Sequence, residues 1–136
     1  MKIIKVKTDS KNYDIKVGHD LLGSTPLKKL VSHKDILLIV DNKVPELLIN
    51  KLKNNLKKSS SKKINSIKIN ASENNKNMSY LAKVYDFLIR NNYSRDCVIF
   101  GIGGGITCDM TGFIASTFLR GVDSVSYTHL RAHETG

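Results

Sequence analysis

Glycine stands at positions 101, 103, 104 and 105, directly after the apolar run Cys97-Val98-Ile99-Phe100 and directly before a helix-like segment. A backbone without Cβ takes positive φ freely and leaves room for a ligand. A helix opening at such a turn aims unpaired N–H groups and the positive end of its dipole outward, which suits a phosphate. Asp109 follows four residues after Gly105. Two further polar clusters carry groups able to hold a nucleotide: Asp41-Asn42, and Ser72-Glu73 with Lys76. Each also has a plain structural reading. Asp41-Asn42 suits an ordinary turn, Glu73 and Lys76 a solvated surface, and the glycines a tight turn without a ligand. Asp109 suits a helix cap, and Arg120 a cation at a helix end.

The elements around these residues have to bring them together. Residues 2–7 alternate, residues 8–12 turn, and Tyr13, Ile15 and Val17 alternate again, which predicts a β-hairpin. Asp20 is a candidate cap for a short helix from Leu21 that Gly23 and Pro26 keep irregular. Residues 36–40, ILLIV, are apolar throughout, as in a parallel strand covered on both faces. Pro45 suits a first helical turn, and Leu47, Leu48, Leu52 and Leu56 recur at helical spacing. Ile64, Ile67 and Ile69 predict another strand, with the spacing slipped by one residue. Asn77 is the expected N-cap of a helix with Met78, Leu81, Tyr85 and Leu88 on one face, ending near Asn91-Asn92. Residues 97–100 are the next strand, and a helix is expected over 109–118. A hairpin followed by β-α-β-α-β-α predicts an α/β fold, a parallel sheet with helices on its faces. Such sheets bind ligands beyond the carboxyl ends of their strands. All three polar clusters fall at those ends, so one shared cleft is expected.

Composition narrows the class. The 136 residues are 40% hydrophobic and 25% charged, as in a globular domain. No apolar stretch reaches the roughly 18 residues that span a bilayer, and the N-terminus lacks a signal-peptide block. A cytoplasmic location without membrane contact is the expectation. Cys97 and Cys108 read as reduced small residues rather than a disulfide. The formal charge of +10 is concentrated in residues 51–68, which hold seven lysines and no acid, arginine or aromatic. Phosphate-tracking surfaces add arginine forks and stacking rings, so a solvated face is preferred to a basic nucleic-acid-binding module.

The glycine spacing departs from G-x-G-x-x-G, because Ile106 stands where the last glycine belongs and the turn is the third βα turn, not the first. The run Gly103-Gly104-Gly105-Ile106-Thr107-Cys108-Asp109-Met110-Thr111-Gly112-Phe113, followed by Ala115-Ser116-Thr117-Phe118-Leu119-Arg120-Gly121, resembles 3-dehydroquinate synthases. That family carries G-G-G-V-x-G-D-hydrophobic-x-G-F and then A-A-T-[YF]-L-R-G. Asp41-Asn42 matches its early strand end. Of its D-G-E-x-x-K loop only Glu73 and Lys76 remain, with Ala71-Ser72 in place of Asp-Gly, and Cys108 replaces a glycine.

The resemblance, over residues 1 to about 123, implies an incomplete Rossmann-like domain that binds NAD. Asp41 and Asn42 would meet the adenosine ribose, and Glu73 and Lys76 the adenosine side. Gly104, Gly105, Ile106 and Asp109 would meet the pyrophosphate and nicotinamide ribose, and Arg120 the anionic groups of a small-molecule substrate. It implies a homodimeric parent that turns a seven-carbon keto-sugar-acid phosphate into 3-dehydroquinate with release of phosphate, in the shikimate pathway. The family's zinc or cobalt is held by a second, helical domain whose ligands this chain lacks, so no catalytic or metal residue is assigned. Another sugar-phosphate cyclase or a metal-dependent polyol dehydrogenase on the same scaffold is the alternative. Residues 125–135, VSYTHLRAHET, read as the in-frame translation of a sequencing adapter. Residues 124–136 are therefore expected to be artefactual and are set outside the fold, along with the apparent metal pattern of His129, His133 and Glu134.

Overall fold

Strands with no polar face belong in the middle of a covered sheet, and two such strands form the centre of its parallel part. These are β3 (Asp35–Asp41) and β5 (Cys97–Gly103), buried along nearly all or all of their length. The computed structural model describes residues 2–7, 12–17, 25–59 and 62–128, with side chains for 28–58 and 62–128. The other elements are β1 (Lys2–Lys7), β2 (Asn12–Val17), α1 (Thr25–Val31), α2 (Glu46–Ser59), β4 (Ile64–Ile69), α3 (Met78–Arg90), α4 (Gly105–Thr117) and β6 (Asp123–Thr128). Short 3-10 turns lie at Glu73–Asn75 and Phe118–Arg120. The described strands form one sheet in the order β2-β1-β6-β5-β3-β4. β6, β5, β3 and β4 run parallel. β1 pairs antiparallel with both β2 and β6. The expected hairpin and the β-α-β-α-β-α order are both present.

Alternate residues of the central strands enter two cores. Val31 of α1 and Ile49, Leu52 and Leu56 of α2 share one with Phe100 and Tyr127. Leu81, Val84 and Leu88 of α3 and Met110 and Ile114 of α4 share the other with Ile99. The slip in β4 has a cause, since Ile64 packs toward the first core while Ile67 and Ile69 pack toward the second. Asn77 caps α3 as expected, its side chain accepting from the Tyr80 N–H at 2.9 Å.

Several expectations are corrected. Leu47 and Met78 are 81% and 58% exposed, because Ile49 and Val84 take the inward positions of their helices. The helix after the hairpin starts at Thr25, and Pro26 sits in its first turn, where a missing N–H is harmless. The proposed cap at Asp20 and the start at Leu21 lie outside the described residues. α4 begins at Gly105, not Asp109, with Gly104 as N-cap and the Cys108 N–H donating to the Gly104 carbonyl at 3.1 Å. Asp109 is thus in the second turn and caps nothing. Residues 123–128, nearly all of which the adapter reading excludes from the fold, form β6 between β5 and β1. Their alternation suits the position, since Val125 and Tyr127 enter the first core and Ser126 does not. His129, His133 and Glu134 lie outside the described residues.

Cys97 and Cys108 form no disulfide. Burial, reinforced by the Asp35 carboxylate, pushes the Cys97 thiol up from 9.0 to about 12. Burial likewise raises the Tyr93 phenol from 10.0 to about 12. Both groups stay neutral in the folded chain while the unfolded chain begins to ionise at the ordinary values. The unfolded state therefore holds fewer protons between these limits, and stability falls as pH rises. The urea midpoint is expected to hold near neutrality and to drop from about pH 9 toward pH 12. A midpoint unchanged at pH 11 would contradict this.

Candidate functional site

The sheet reverses its direction of growth between β3 and β5. From β3 the chain crosses to β4 on one side and then to β5 on the other, so the carboxyl ends of β3 and β5 flank a topological switch point, where open α/β sheets bind ligands. Asp41 ends β3. One oxygen, Oδ1, accepts from the Lys43 N–H at 3.2 Å, so the turn reading is correct for that oxygen. The Asn42 N–H donates to the Ile69 carbonyl at 2.9 Å and ties the end of β3 to the end of β4.

The glycines divide into two pairs with different tasks. Gly101 and Gly103 lie on the α4 side of β5. A Cβ on Gly101 would stand 2.4 Å from Thr111 Oγ1. One on Gly103, whose φ is +154°, would stand 2.7 Å from Thr107 Oγ1 and 2.9 Å from Asp41 Cβ. These two admit the helix and the neighbouring strand end. A Cβ on Gly104 or Gly105 would meet nothing within 4 Å. Those two present bare backbone to open space at the start of α4, where the first N–H groups of a helix have no intrahelical partner. Ile106 follows in the same turn, partly buried against the second core. An open helix start with free amides suits a diphosphate, and Asp41, whose Cβ approaches Gly103, ends the neighbouring strand.

Lys76 joins the second cluster to the third. Its Nζ lies 3.4 Å from Asp109 Oδ2 and 3.7 Å from Glu73 Oε2. With both carboxylates largely exposed, the pairs hold position more than they stabilise. Asp41 thus approaches Gly103, and Lys76 pairs with Asp109, so the clusters meet in pairs. A cleft of about 480 Å³ opens beside the Lys76–Asp109 pair, walled by Met78, Leu81, Met110 and Phe113 and rimmed by Lys76, Asn77 and Asp109. It takes in neither Asp41 nor the glycines, and is not the one shared cleft that was expected. Arg120 is not part of this assembly. It lies beyond the far end of the 13-residue α4, about 20 Å along the helix from Gly105. It is exposed, in a left-handed turn with Leu119 (φ 70° and 48°).

Sequence reasoning passed over three side chains. Thr107 and Thr111 fill the spaces left by Gly103 and Gly101, and the i, i+4 spacing opposite an i, i+2 glycine pair was the available signal. Tyr80 had none. Its hydroxyl accepts from the Asn70 N–H at 2.7 Å, and Lys83 Nζ lies 4.1 Å from its ring centroid. Burial acts to raise its phenol, but the Asn70 N–H and the Lys83 ammonium outweigh it and draw the value below 10.0. The lysines Lys51, Lys57 and Lys58 of α2 are exposed, as a solvated face requires. Among the described residues no cluster of ligating side chains could hold a metal, and no helix is long and apolar enough to cross a membrane.

Fold and site together define a Rossmann-like α/β domain. Residues 66–133 match the family described as 3-dehydroquinate synthase N-terminal. The chain belongs to that family. It is 34% identical over 128 residues to the 3-dehydroquinate synthase of Pelagibacter ubique, covering 90% of this chain and 33% of the relative. It is also 34% identical over 127 residues to that of Clostridium kluyveri, covering 92% and 35%. The chain thus spans about a third of the length of the curated relatives it matches. Among solved structures, 2-deoxy-scyllo-inosose synthase complexed with carbaglucose-6-phosphate, NAD+ and Co2+ shares the fold at a TM-score of 0.70 and 17% identity, over 88% of this chain and 33% of the other. A 2-epi-5-epi-valiolone synthase from Streptomyces hygroscopicus with NAD+ and Zn2+ bound does so at 0.61 and 22%, over 79% and 31%.

Proposed function

We propose that this chain is the dinucleotide-binding part of a 3-dehydroquinate synthase, acting in the cytoplasm on a soluble sugar-acid phosphate. The observation that carries the reading is the bare backbone of Gly104 and Gly105 facing open space at the start of α4, one residue past Gly103, which Asp41 of the neighbouring strand approaches at the switch point. In this reading the amides opening α4, those of Gly104, Gly105 and Ile106, hold the diphosphate of NAD, with Asp109 at the nicotinamide ribose. Asp41 and Asn42 orient the adenosine ribose, and Glu73 and Lys76 border the adenosine. Arg120 contributes a guanidinium fork for an anionic substrate group, at the other end of α4. When held by these residues, NAD would supply reversible hydride chemistry at a substrate hydroxyl, whose transient oxidation would acidify the neighbouring proton and let phosphate leave. The metal ligands and substrate lysines belong to a second domain, beyond the third of the relatives that this chain spans. Residues 1–123 are proposed as the natural cofactor domain and residues 124–136 as adapter-derived. DNA reads across codon 124 that run on in native sequence would overturn the latter.

The reading is tested by calorimetric titration of the purified chain with NAD. Saturable one-to-one binding is expected, with a thermal midpoint that rises with ligand concentration. No heat and no shift at millimolar NAD would refute it. The chain by itself is expected to release no phosphate from the seven-carbon substrate. Steady release above a protein-free control would show that these 136 residues suffice for that step.

A further inference from the structure

The strand β5 presents Gly101 and Gly103 two residues apart to α4, and α4 presents Thr107 and Thr111 four residues apart to β5. Both spacings put the pair on one face of its element, so each threonine seats in a notch where the strand has no side chain. A Cβ in those notches would lie 2.4 Å and 2.7 Å from the threonine hydroxyls, which shows how closely helix and strand approach. Both threonines are fully buried, and neither Oγ1 has a hydrogen-bond partner among the described residues. A buried hydroxyl without a partner is unfavourable relative to a methyl group of the same shape. Hydrogen bonding is therefore not what holds these side chains in place; their branched shape is. The Gly103 notch also abuts Asp41 Cβ, so the same contact locates the end of α4 relative to the end of β3.

We infer that Thr107 and Thr111 are positioning residues that act as spacers, setting the height of the α4 amide end over the ends of β3 and β5 and thereby the fit of a dinucleotide's diphosphate. The inference rests on the proposed dinucleotide function for its ligand, but not for its geometry. Thr111 decides between positioning and simple packing, because it lies a full turn beyond Thr107, under the helix. Enlarging it can reach a ligand only by lifting the helix.

The test compares Thr107→Val, Thr107→Leu, Thr111→Val and Thr111→Leu in the full chain. NAD affinity is read by calorimetry, and the Gly104 and Gly105 amide resonances by 15N NMR. The valine variants keep the shape and lose the unpaired hydroxyl. They are expected to keep both resonances and affinity, with an equal or higher thermal midpoint. The leucine variants are expected to move both amide resonances and to weaken NAD binding about tenfold, the scale of a disturbed hydrogen bond to a charged group. Folded leucine variants with wild-type resonances and affinity would overturn the inference, as would valine variants that lose binding. Should leucine prevent folding, Thr107→Ala and Thr111→Ala let the helix settle inward. Shifted amide resonances and weakened binding in the alanine variants would then support the spacer role, and wild-type values would overturn it. Absence of NAD binding in the wild-type chain would sink the dinucleotide reading alone. The amide resonances of the variants would still decide whether the threonines set the helix height.

Discussion

Gly101→Ala is expected to lower the thermal midpoint by roughly 10 °C, whereas Gly105→Ala is expected to leave it within a few degrees and to weaken NAD binding instead. The two glycines are four residues apart in one motif and look alike in the sequence. At Gly101 the new methyl would stand 2.4 Å from Thr111 Oγ1 and 2.7 Å from Thr111 Cβ. Neither atom is the far end of a flexible chain, so helix and strand must separate. Overpacking of this kind costs about 1–3 kcal/mol, and the tightness here points to the upper end. At Gly105 the methyl meets nothing within 4 Å, and alanine is the better helix former by about 1 kcal/mol. What it does fill is the open space proposed for the diphosphate. Melting curves and NAD titrations on both variants make the check. Equal stability loss at both positions, or wild-type NAD affinity in Gly105→Ala, would remove the division of labour among the glycines.

A chain ended at Val122 is expected to lose its cooperative melt. β6 is the sole described link between the hairpin and the rest of the sheet, pairing β5 on one side and β1 on the other. Its removal strips two ladders at once and takes Val125 and Tyr127, 0% and 2% exposed, out of the first core. Burying side chains of this size is worth about 1.5–3 kcal/mol each. Domains hold only about 5–15 kcal/mol in all. The bared edge of β5 would also invite association with other chains. Near-UV circular dichroism and a urea melt decide the matter. A sharp transition in the shortened chain would show that the rest of the domain folds independently of β6. The milder Tyr127→Ala should keep the fold at a cost of about 3–5 kcal/mol.

Much of this architecture could be read from the order of residues. ILLIV at 36–40 and CVIF at 97–100 have no polar face, so they fit only strands covered on both sides. The Asn77 cap needs nothing but a side-chain oxygen three residues before an N–H. The placement of Asp41, Lys76, Asp109 and the glycine turn at strand ends follows from parallel connectivity, since every parallel strand delivers its carboxyl end to the same edge. Local periodicity failed where a helix has more apolar residues than its buried stripe can hold. Leu47 and Met78 are such residues, and only packing against the sheet selects Ile49 and Val84 over them. At residues 123–128 periodicity does agree with the fold, since Val125 and Tyr127 alternate into the first core.

The sequence by itself determined the succession of strands and helices and the chemical types gathered at one edge, because periodicity and connectivity are properties of the chain. The tertiary structure alone decided which glycines admit a helix and which face open space, and which leucines are core. Those outcomes depend on distances between elements far apart in the chain, and no local pattern encodes such a distance.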